Sequence, residues 1–195
     1  MKPSLSILIP AAGASERLGQ AKQLVKYKGI PMLQRAVDAA KTLSADELIV
    51  VTGAHENAVR QAIKDPSINW VHNPQWQEGM GSSIAVGAAM FRQQSDGLLI
   101  LLCDQWRVRA SDLQNLVQTW ESDPSRIVTA KAGGQTMPPV IFPSSLLEWI
   151  KGLSGDHGAW RVLKDHPELV MPVLMDSAGF DLDTEAHLDY LKNHP

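Results

Sequence analysis

A loop that contains glycine follows the first apolar run of the chain, residues 5–9, and carries residue types suited to phosphate binding. It reads Pro10-Ala11-Ala12-Gly13-Ala14-Ser15-Glu16-Arg17-Leu18-Gly19-Gln20-Ala21-Lys22. Small residues let backbone N–H groups approach an anion, while Arg17 and Lys22 supply positive charge. The six-residue spacing of Gly13 and Gly19 matches neither a P-loop nor GxGxxG. The alternative interpretation is an ordinary glycine turn after a strand.

A second candidate is Asp104, which follows the apolar residues 98–102 and Cys103. A carboxylate at the end of a buried strand is well placed to hold Mg²⁺ against substrate phosphates. The alternative is an Asp that caps the next turn or helix. Cys103, the single cysteine of the chain, is interpreted as a small core residue.

A third candidate segment is Gly79-Met80-Gly81-Ser82-Ser83, which precedes a predicted helix. Ser82 and Ser83 are expected either to cap that helix or to donate hydrogen bonds to a ligand. Two of the six tryptophans, Trp76 and Trp106, fall in these segments and are candidate stacking surfaces. The histidines show no metal-ligand spacing, so the sequence predicts no zinc site.

The elements that position these residues alternate between strand and helix. The predicted strands are residues 5–9, 48–51, 68–71, 98–102 and 127–130, and helices are expected from Pro31, at 58–63, at 84–91 and around Leu113. Later segments are a strand at 140–142, a helix at 146–150, an edge strand at 170–174 because of Pro172, and a helix at 184–191. This order predicts an α/β fold with a mostly parallel sheet.

In such a sheet, ligands bind beyond the carboxyl ends of the strands. Three polar segments end predicted strands here, namely residues 10–22, 72–83 and 103–107. We therefore expect the phosphate-binding loop, the serine segment and Asp104 to meet at one edge of the sheet.

Length and composition exclude several classes of protein. The 195 residues favour one domain, 1–195, with residues 133–174 as a candidate small lobe. A net charge of −3 without a basic run predicts no nucleic-acid partner. No apolar stretch reaches membrane-spanning length, and a single cysteine allows no internal disulfide. We therefore expect a cytoplasmic protein that binds no membrane.

Taken together, the motifs resemble the MobA-like nucleotidyltransferase family, and within it the molybdenum cofactor cytidylyltransferases. The first loop is similar to Ala-Ala-Gly…Arg-Met-Gly…Lys, with Leu18 in place of Met. The further blocks, in family order, are Asn73…Trp76…Glu78-Gly79-Met80-Gly81-Ser82-Ser83…Gly87, Cys103-Asp104-Gln105, Gly155-Asp156-His157-Gly158-Ala159 and Asp181-Leu182-Asp183-Thr184. The resemblance spans nearly the whole chain.

This resemblance implies a Rossmann-like three-layer α/β/α fold of the nucleotide-diphospho-sugar transferase type. It also implies roles, with Arg17, Lys22 and Asp104 as catalytic residues. The nucleotide would be bound by Ala11, Ala12, Gly13, Gly79, Ser82 and Ser83. Mg²⁺ would be held by Asp104 and Asp183, with Asp181 as the other choice for the second ligand. The acceptor would lie near Gln105, Trp106, Gly155 and Asp156, and residues 133–174 would form the acceptor-side lobe.

The activity implied is transfer of CMP from CTP to the phosphate of a molybdopterin-type cofactor, with release of pyrophosphate and with a client molybdenum enzyme as partner. Pro10-Ala11-Ala12-Gly13 resembles the form that selects cytidine, whereas guanine-using relatives tend to have Ala-Gly-Gly. The loop also resembles the cytidylyltransferase of isoprenoid synthesis, but the His-Asp-Ala-Ala-Arg block of that family is absent.

The chain departs from the family pattern near the acceptor side. Cys103 replaces a glycine, Trp106 replaces a proline, and Met137-Pro138-Pro139 stands where Gly-His-Pro is common. Two alternatives therefore stay open. One is a nucleotidyltransferase that acts on a sugar or polyol phosphate, and the other is a non-enzymatic regulator or chaperone that binds nucleotide.

Overall fold

The computed structural model describes residues 2–91, 95–155 and 159–193. The strands are β1 (Leu5–Pro10), β2 (Lys26–Tyr27), β3 (Ile30–Pro31), β4 (Glu47–Thr52), β5 (Ile68–His72), β6 (Gly97–Ile100), β7 (Ile127–Ala132), β8 (Gln135–Pro143) and β9 (Val170–Leu174). The α-helices are α1 (Met32–Lys41), α2 (Glu56–Ala62), α3 (Met80–Ala89), α4 (Ala110–Ser122), α5 (Leu147–Lys151), α6 (Trp160–Asp165) and α7 (Glu185–Asn193).

Seven strands form one sheet in the order β5-β4-β1-β6-β8-β7-β9, and β2 pairs with β3 in a separate hairpin. Strands β5, β4, β1 and β6 run parallel, while β8 pairs antiparallel with both β6 and β7. Strand β9 lies at the edge, as Pro172 predicts, because an edge strand loses no ladder bond to the missing N–H. The predicted mostly parallel α/β sheet is confirmed.

Helices cover both faces of this sheet, because successive side chains of a strand point to opposite sides. On one face Ile7 and Val50 pack with residues of α1, α2 and α4. On the other, Leu8 and Val51 pack with residues of α3, α5 and α6. Apolar side chains on both faces explain why the strands read as continuous apolar runs, and they confirm the three-layer α/β/α architecture.

Three features differ from the sequence prediction or extend it. The hairpin β2–β3 was not predicted; its turn places Lys28 at φ 53° and Gly29 at φ 79°, the backbone conformation of a tight two-residue hairpin turn. Helix α3 begins at Met80, so Ser82 and Ser83 lie within the helix; of the two alternatives for them, the one in which they precede and cap the helix was wrong. Residues 133–174 supply β8 and β9 to the main sheet, and the division of the chain into lobes stays a prediction.

A third apolar cluster lies under α7. Its buried members are Leu18, Val25, Met32, Trp106, Leu182 and Leu191. This cluster joins the loop after β1 to the segment after β6 and to the C-terminal helix. Within the described residues, no helix is long and apolar enough to cross a membrane.

Candidate active site

A pocket of about 670 Å³ opens beyond the carboxyl ends of β1, β5 and β6. A volume of this size falls in the range of small-molecule sites. Its walls are residues 10–18, Lys22, Gln23, Trp76, Gln77, Gly79, Met80, Ser83, residues 102–104, Leu182 and Asp183. The loop after β1, the segment after β5 and the segment after β6 therefore meet at one edge of the sheet, as the sequence predicts.

The loop after β1 is held by hydrogen bonds to its carbonyl groups. The buried Gln23 donates through Nε2 to the carbonyl oxygens of Ala11 and Gly13, each at 2.9 Å. The Ala54 N–H donates to the Ala12 carbonyl at 3.0 Å. The Nε2 of His55 lies 3.1 Å from the carbonyl oxygen of Ala14. Four consecutive carbonyl groups are thus bound by the rest of the protein.

The backbone N–H groups of the same loop are available to a ligand. Across the described part of the chain, no acceptor is found for the N–H groups of residues 12–17, all of which line the pocket. Ser15 adopts the left-handed conformation at φ 58°, which changes the direction of the chain before Arg17. Successive free N–H groups in a turn form a concavity that binds anions. Ala11, Ala12 and Gly13 therefore belong to a loop whose unpartnered N–H groups have the arrangement that an oxyanion site requires.

Lys22 and Asp104 contact each other across the floor of the pocket. The Lys22 ammonium donates to Asp104 Oδ2 and also lies 3.4 Å from Asp183 Oδ1. Burial by itself lowers the pKa of Lys22, but attraction to the carboxylate of Asp104, and less strongly to that of Asp183, outweighs it and raises the pKa above its usual value. Lys22 is therefore positively charged at neutral pH.

The segment around residue 182 brings Asp183 to the same place. The Leu182 N–H donates to the Asp104 carbonyl oxygen at 3.0 Å, and Asp181 forms a short antiparallel bridge with Gln105. Arg17 lies at the mouth with 78% of its side chain exposed, its Nη2 3.8 Å from Asp183 Oδ2. Arg17, Lys22, Asp104 and Asp183 therefore share one pocket.

Two neighbouring groups have raised pKa values. Burial, and then the charges of Asp104 and Asp183, raise the pKa of the Asp181 carboxyl to about 7. Burial, and then the Asp104 charge, raise the pKa of the Cys103 thiol to about 12. Because a thiol must ionise to act as a nucleophile, Cys103 is a packing residue here, as its type predicts.

The carboxylates of the pocket offer oxygen ligands to a divalent cation. Asp104 Oδ1 is buried and has no hydrogen-bond partner within the described residues. Asp183 lines the same pocket and is partly exposed. No group of three or more His, Cys, Asp or Glu side chains in the described ranges has the arrangement of a self-contained metal site. Mg²⁺ commonly uses one or two carboxylates together with substrate phosphates, so the residues present fit it.

The segment after β5 is organised by a buried asparagine. Asn73 donates through Nδ2 to the hydroxyl oxygens of Ser82 and Ser83, at 2.9 and 3.0 Å, and its Oδ1 accepts from the Gln75 N–H. Ser82 in turn donates to the carbonyl oxygen of Gly79 or Gln75. Gly79 and Ser83 line the pocket, whereas Ser82 stands behind them as a buried support.

Three of the predicted acceptor-side residues, Gln105, Trp106 and Gly155, lie outside the walls of this pocket. Gln105 is buried and donates to the carbonyl oxygens of Pro138 and Ala178, so it joins β8 to the segment after β9. Trp106 is 9% exposed and packs in the cluster under α7. The carbonyl oxygen of Gly155 accepts a hydrogen bond from the Gly81 N–H at 2.8 Å. Asp156 lies outside the described residues.

Sequence reasoning assigned no role to four residues that shape the pocket. Gln23, His55 and Asn73 act through bonds to backbone or serine groups, and Gly53 packs where an added Cβ would lie 2.6 Å from the Ala12 carbonyl oxygen and 2.7 Å from Trp76 Cβ. The available signals were the position of Gln23 directly after Lys22 and the position of Asn73 in the second family block. Neither signal predicts these contacts, because each contact joins segments that are apart in the sequence.

Comparisons with known proteins agree with this architecture. The purine catabolism protein PucB of Bacillus subtilis (strain 168) is 28% identical over 97% of each chain. The nicotine blue oxidoreductase of Paenarthrobacter nicotinovorans is 28% identical over 93% of each. The crystal structure of Rv0371c from Mycobacterium tuberculosis H37Rv in complex with manganese aligns over 98% of each chain, with a TM-score of 0.79 and 22% identity, and shows the shared fold.

The fold is of the nucleotide-diphospho-sugar transferase type. The MobA-like NTP transferase domain matches residues 7–170. Because this match covers most of the chain, the protein belongs to the MobA-like NTP transferase family.

Proposed function

We propose that this protein transfers CMP from CTP to the phosphate group of a molybdopterin-type acceptor and releases pyrophosphate. The observation that carries the proposal is the loop after β1: the protein binds the carbonyl groups of residues 11–14, while the N–H groups of residues 12–17, which line the pocket, have no acceptor within the described chain. Beside it lie Lys22 and Asp104. Such a loop binds phosphate oxygens without needing a large positive patch.

The triphosphate would lie along this loop. Lys22 supplies a largely buried cation close to the phosphates, and Arg17 supplies an exposed guanidinium at the mouth that can fork onto phosphate oxygens. Trp76, which also lines the pocket, offers an apolar surface to the nucleoside. The preference for cytosine is proposed from the Ala11-Ala12-Gly13 sequence, which resembles the cytidine-selecting form.

The reaction is an in-line displacement at phosphorus. An oxygen of the acceptor phosphate forms a bond to the α-phosphorus of CTP, and the bond from that phosphorus to the oxygen bridging to the β-phosphate breaks. A phosphate monoester has a second pKa of roughly 6, so it is already ionised at neutral pH and needs no general base. This agrees with a pocket in which Cys103 is protonated and no Ser–His pair is found among the described residues.

The residues of the chain then act by position and charge. Lys22 and Arg17 neutralise the charge that accumulates on the leaving pyrophosphate, and the loop N–H groups fix the α-phosphate. Asp104 and Asp183 would hold a Mg²⁺ ion, which supplies further charge neutralisation when bound. The unpartnered Asp104 Oδ1 supports this role, as does the manganese bound to the structurally similar Rv0371c.

The acceptor is proposed from the family resemblance, as is a client molybdenum enzyme. The same pocket also suits a sugar or polyol phosphate as acceptor, and binding without turnover would indicate a regulator. One relative that is 28% identical to this chain is named as an oxidoreductase. The same fold therefore occurs with different named activities among proteins of this degree of similarity. The acceptor therefore has to be settled by experiment.

The test is pyrophosphate release in the presence of Mg²⁺, with CTP, GTP, ATP or UTP, and with or without a molybdopterin-type acceptor. We expect release with CTP that depends on the acceptor and is lost in Lys22→Ala. Pyrophosphate release with CTP and a sugar phosphate, but not with molybdopterin, would show that the proposed reaction is correct and that the proposed acceptor is wrong. Binding of CTP without release under any condition would contradict the enzymatic proposal.

A further inference from the structure

A second cavity, of about 480 Å³, lies on the outer side of the α7 cluster. It is formed by the β2–β3 hairpin, the start of α1, the segment before α4 and the C-terminal helix. Its lining shares no residue with that of the nucleotide pocket. The two cavities are therefore separate sites, with Trp106 in the wall of the outer one and Trp76 in the wall of the nucleotide pocket.

Four cations surround this outer cavity, namely Lys28, Arg35, Arg107 and Arg109, and no Asp or Glu of the described ranges lines it. In the described part of the chain, none of the four side chains forms a salt bridge with a carboxylate. It is the backbone N–H of Arg109 that donates to Asp112. Four positive charges that lack a salt-bridge partner among the described residues thus surround one concavity, in a protein whose net charge is −3; such a concentration of charge attracts anions.

Aromatic side chains hold two of the guanidinium groups in place. The Arg107 guanidinium lies 3.8 Å from the ring centre of Phe180 and 4.6 Å from that of Trp106. Arg35 lies 4.9 Å from the ring centre of Tyr27 and donates to the Trp106 carbonyl oxygen at 3.4 Å. Arg107 also donates to the Tyr190 hydroxyl oxygen at 3.1 Å, so each of these two guanidinium groups has one hydrogen bond to the protein. A stacked guanidinium group that is held in this way loses little freedom on binding, and its remaining N–H groups suit recognition of an oxyanion.

We propose that this cavity is a second anion site, which binds a small molecule that carries one or more phosphate groups. Three guanidinium groups and one ammonium match a polyphosphate or a phosphate monoester in charge and in donor geometry. The rings are already covered by guanidinium groups, so the recognised part of the ligand is the anion rather than an aromatic body. This proposal does not rest on the transfer reaction.

The two tryptophans allow each cavity to be observed separately. In a two-dimensional NMR spectrum of the full-length protein, the six indole N–H signals are assigned by single Trp→Phe variants. Inorganic pyrophosphate is then titrated at constant ionic strength without a divalent metal. We expect the Trp106 signal to shift with a saturable dependence on pyrophosphate, in the wild type and equally in Lys22→Ala, where the Trp76 response is weakened.

Matched variants link the response to the cations of the cavity. Lys28 and Arg109 are exposed, so Lys28→Gln, Arg109→Gln and their combination should leave the fold intact. In the double variant, the Kd for pyrophosphate measured from the Trp106 signal should rise by at least ~10-fold, because each of the two substitutions removes a charge-assisted hydrogen bond to the anion. Lys26→Gln, on the same hairpin but outside the lining, is the control and should leave that Kd unchanged.

Three results would overturn the proposal. A shift of Trp76 alone would place all binding in the nucleotide pocket. A Trp106 shift that is linear in concentration, or unchanged in the double variant, would show that no site exists at these cations. Equal saturation with succinate in place of pyrophosphate would show a site for carboxylates rather than for phosphate.

Discussion

Lys22 and Asp104 form an ion pair that joins the loop after β1 to the segment after β6. Only 22% of the Lys22 side chain and 7% of the Asp104 side chain are exposed. The pair is therefore shielded from solvent, and its charges act on a bound phosphate with little screening. Removal of either partner leaves a largely buried charge without its counterion, so an effect on folding must be separated from an effect on turnover.

Lys22→Ala and Asp104→Ala are each expected to lower kcat by about 10²- to 10³-fold, the range for loss of one preorganised electrostatic group. Lys22 acts on the phosphates, and Asp104 acts through the oxygen that has no protein partner. Pyrophosphate release at saturating CTP measures the effect, and thermal unfolding of each variant shows whether it is folded. Lys26→Ala, an exposed lysine four residues from Lys22, is the control. Near-normal pyrophosphate release from both folded variants would show that neither Lys22 nor Asp104 takes part in the reaction.

Gln23→Met should weaken nucleotide binding, although Gln23 is not proposed to act on the phosphates. The change keeps the size of the side chain and removes two hydrogen bonds to the loop, so the carbonyl groups of Ala11 and Gly13 lose their partner. With about 1 kcal/mol for each bond, the Kd for CTP should rise by roughly 10-fold or more. Calorimetric titration checks this, with the exposed Gln20→Met as control. An unchanged Kd would show that the loop keeps its shape without Gln23.

Gly53→Ala tests the packing between the two loops of the pocket. The added methyl group would lie 2.6 Å from the Ala12 carbonyl oxygen and 2.7 Å from Trp76 Cβ, so both loops must move. We expect a loss of about 1 to 3 kcal/mol in the free energy of unfolding, together with weaker CTP binding. At Gly152 the same change meets only backbone atoms at 3.5 Å or more, and Gly152→Ala should leave both quantities nearly unchanged. Equal effects of the two substitutions would contradict this packing.

Asp65 makes stability depend on pH below the neutral range. Hydrogen bonds from Lys41 and Ser67 lower the pKa of its carboxyl from 3.8 to about 2. The carboxylate therefore contributes its full stabilisation above about pH 4, and this contribution is lost as the pH falls towards 2. Denaturant unfolding at pH 4 and pH 2 should show that the free energy of unfolding falls less between these two pH values in Asp65→Asn than in the wild type. The exposed Asp46→Asn is the control, and an equal decline in all three proteins would exclude Asp65 as a cause.

Much of the fold could be predicted because its signals are local. The strands around Ile7, Val50 and Leu99 are apolar on both faces, and this pattern indicates a sheet covered on both sides. In a parallel sheet the segments that follow the strands meet at one edge. The sequence alone therefore predicts that Gly13, Asp104 and the segment after β5 lie close together. The hairpin β2–β3 was missed because its strands have two residues each and carry no periodic signal.

The parts of the site that could not be predicted depend on tertiary contacts. Gln23 looks like a polar loop residue, and only the fold shows that it is 1% exposed and bonded to two carbonyl groups. Trp106 follows Asp104 by two residues, and this short distance in the sequence suggested that its indole ring lines the same pocket as the Asp104 carboxylate. The chain turns between them, so the indole packs under α7 while the carboxylate lines the pocket.

The most direct test of the proposed activity is acceptor-dependent pyrophosphate release from CTP with Mg²⁺, measured in parallel for wild type and Lys22→Ala. Release that requires both CTP and the molybdopterin-type acceptor, and that falls by about 10²-fold or more in a folded Lys22→Ala, is the predicted result. Saturable CTP binding without pyrophosphate release, across molybdopterin and sugar or polyol phosphates, would contradict it.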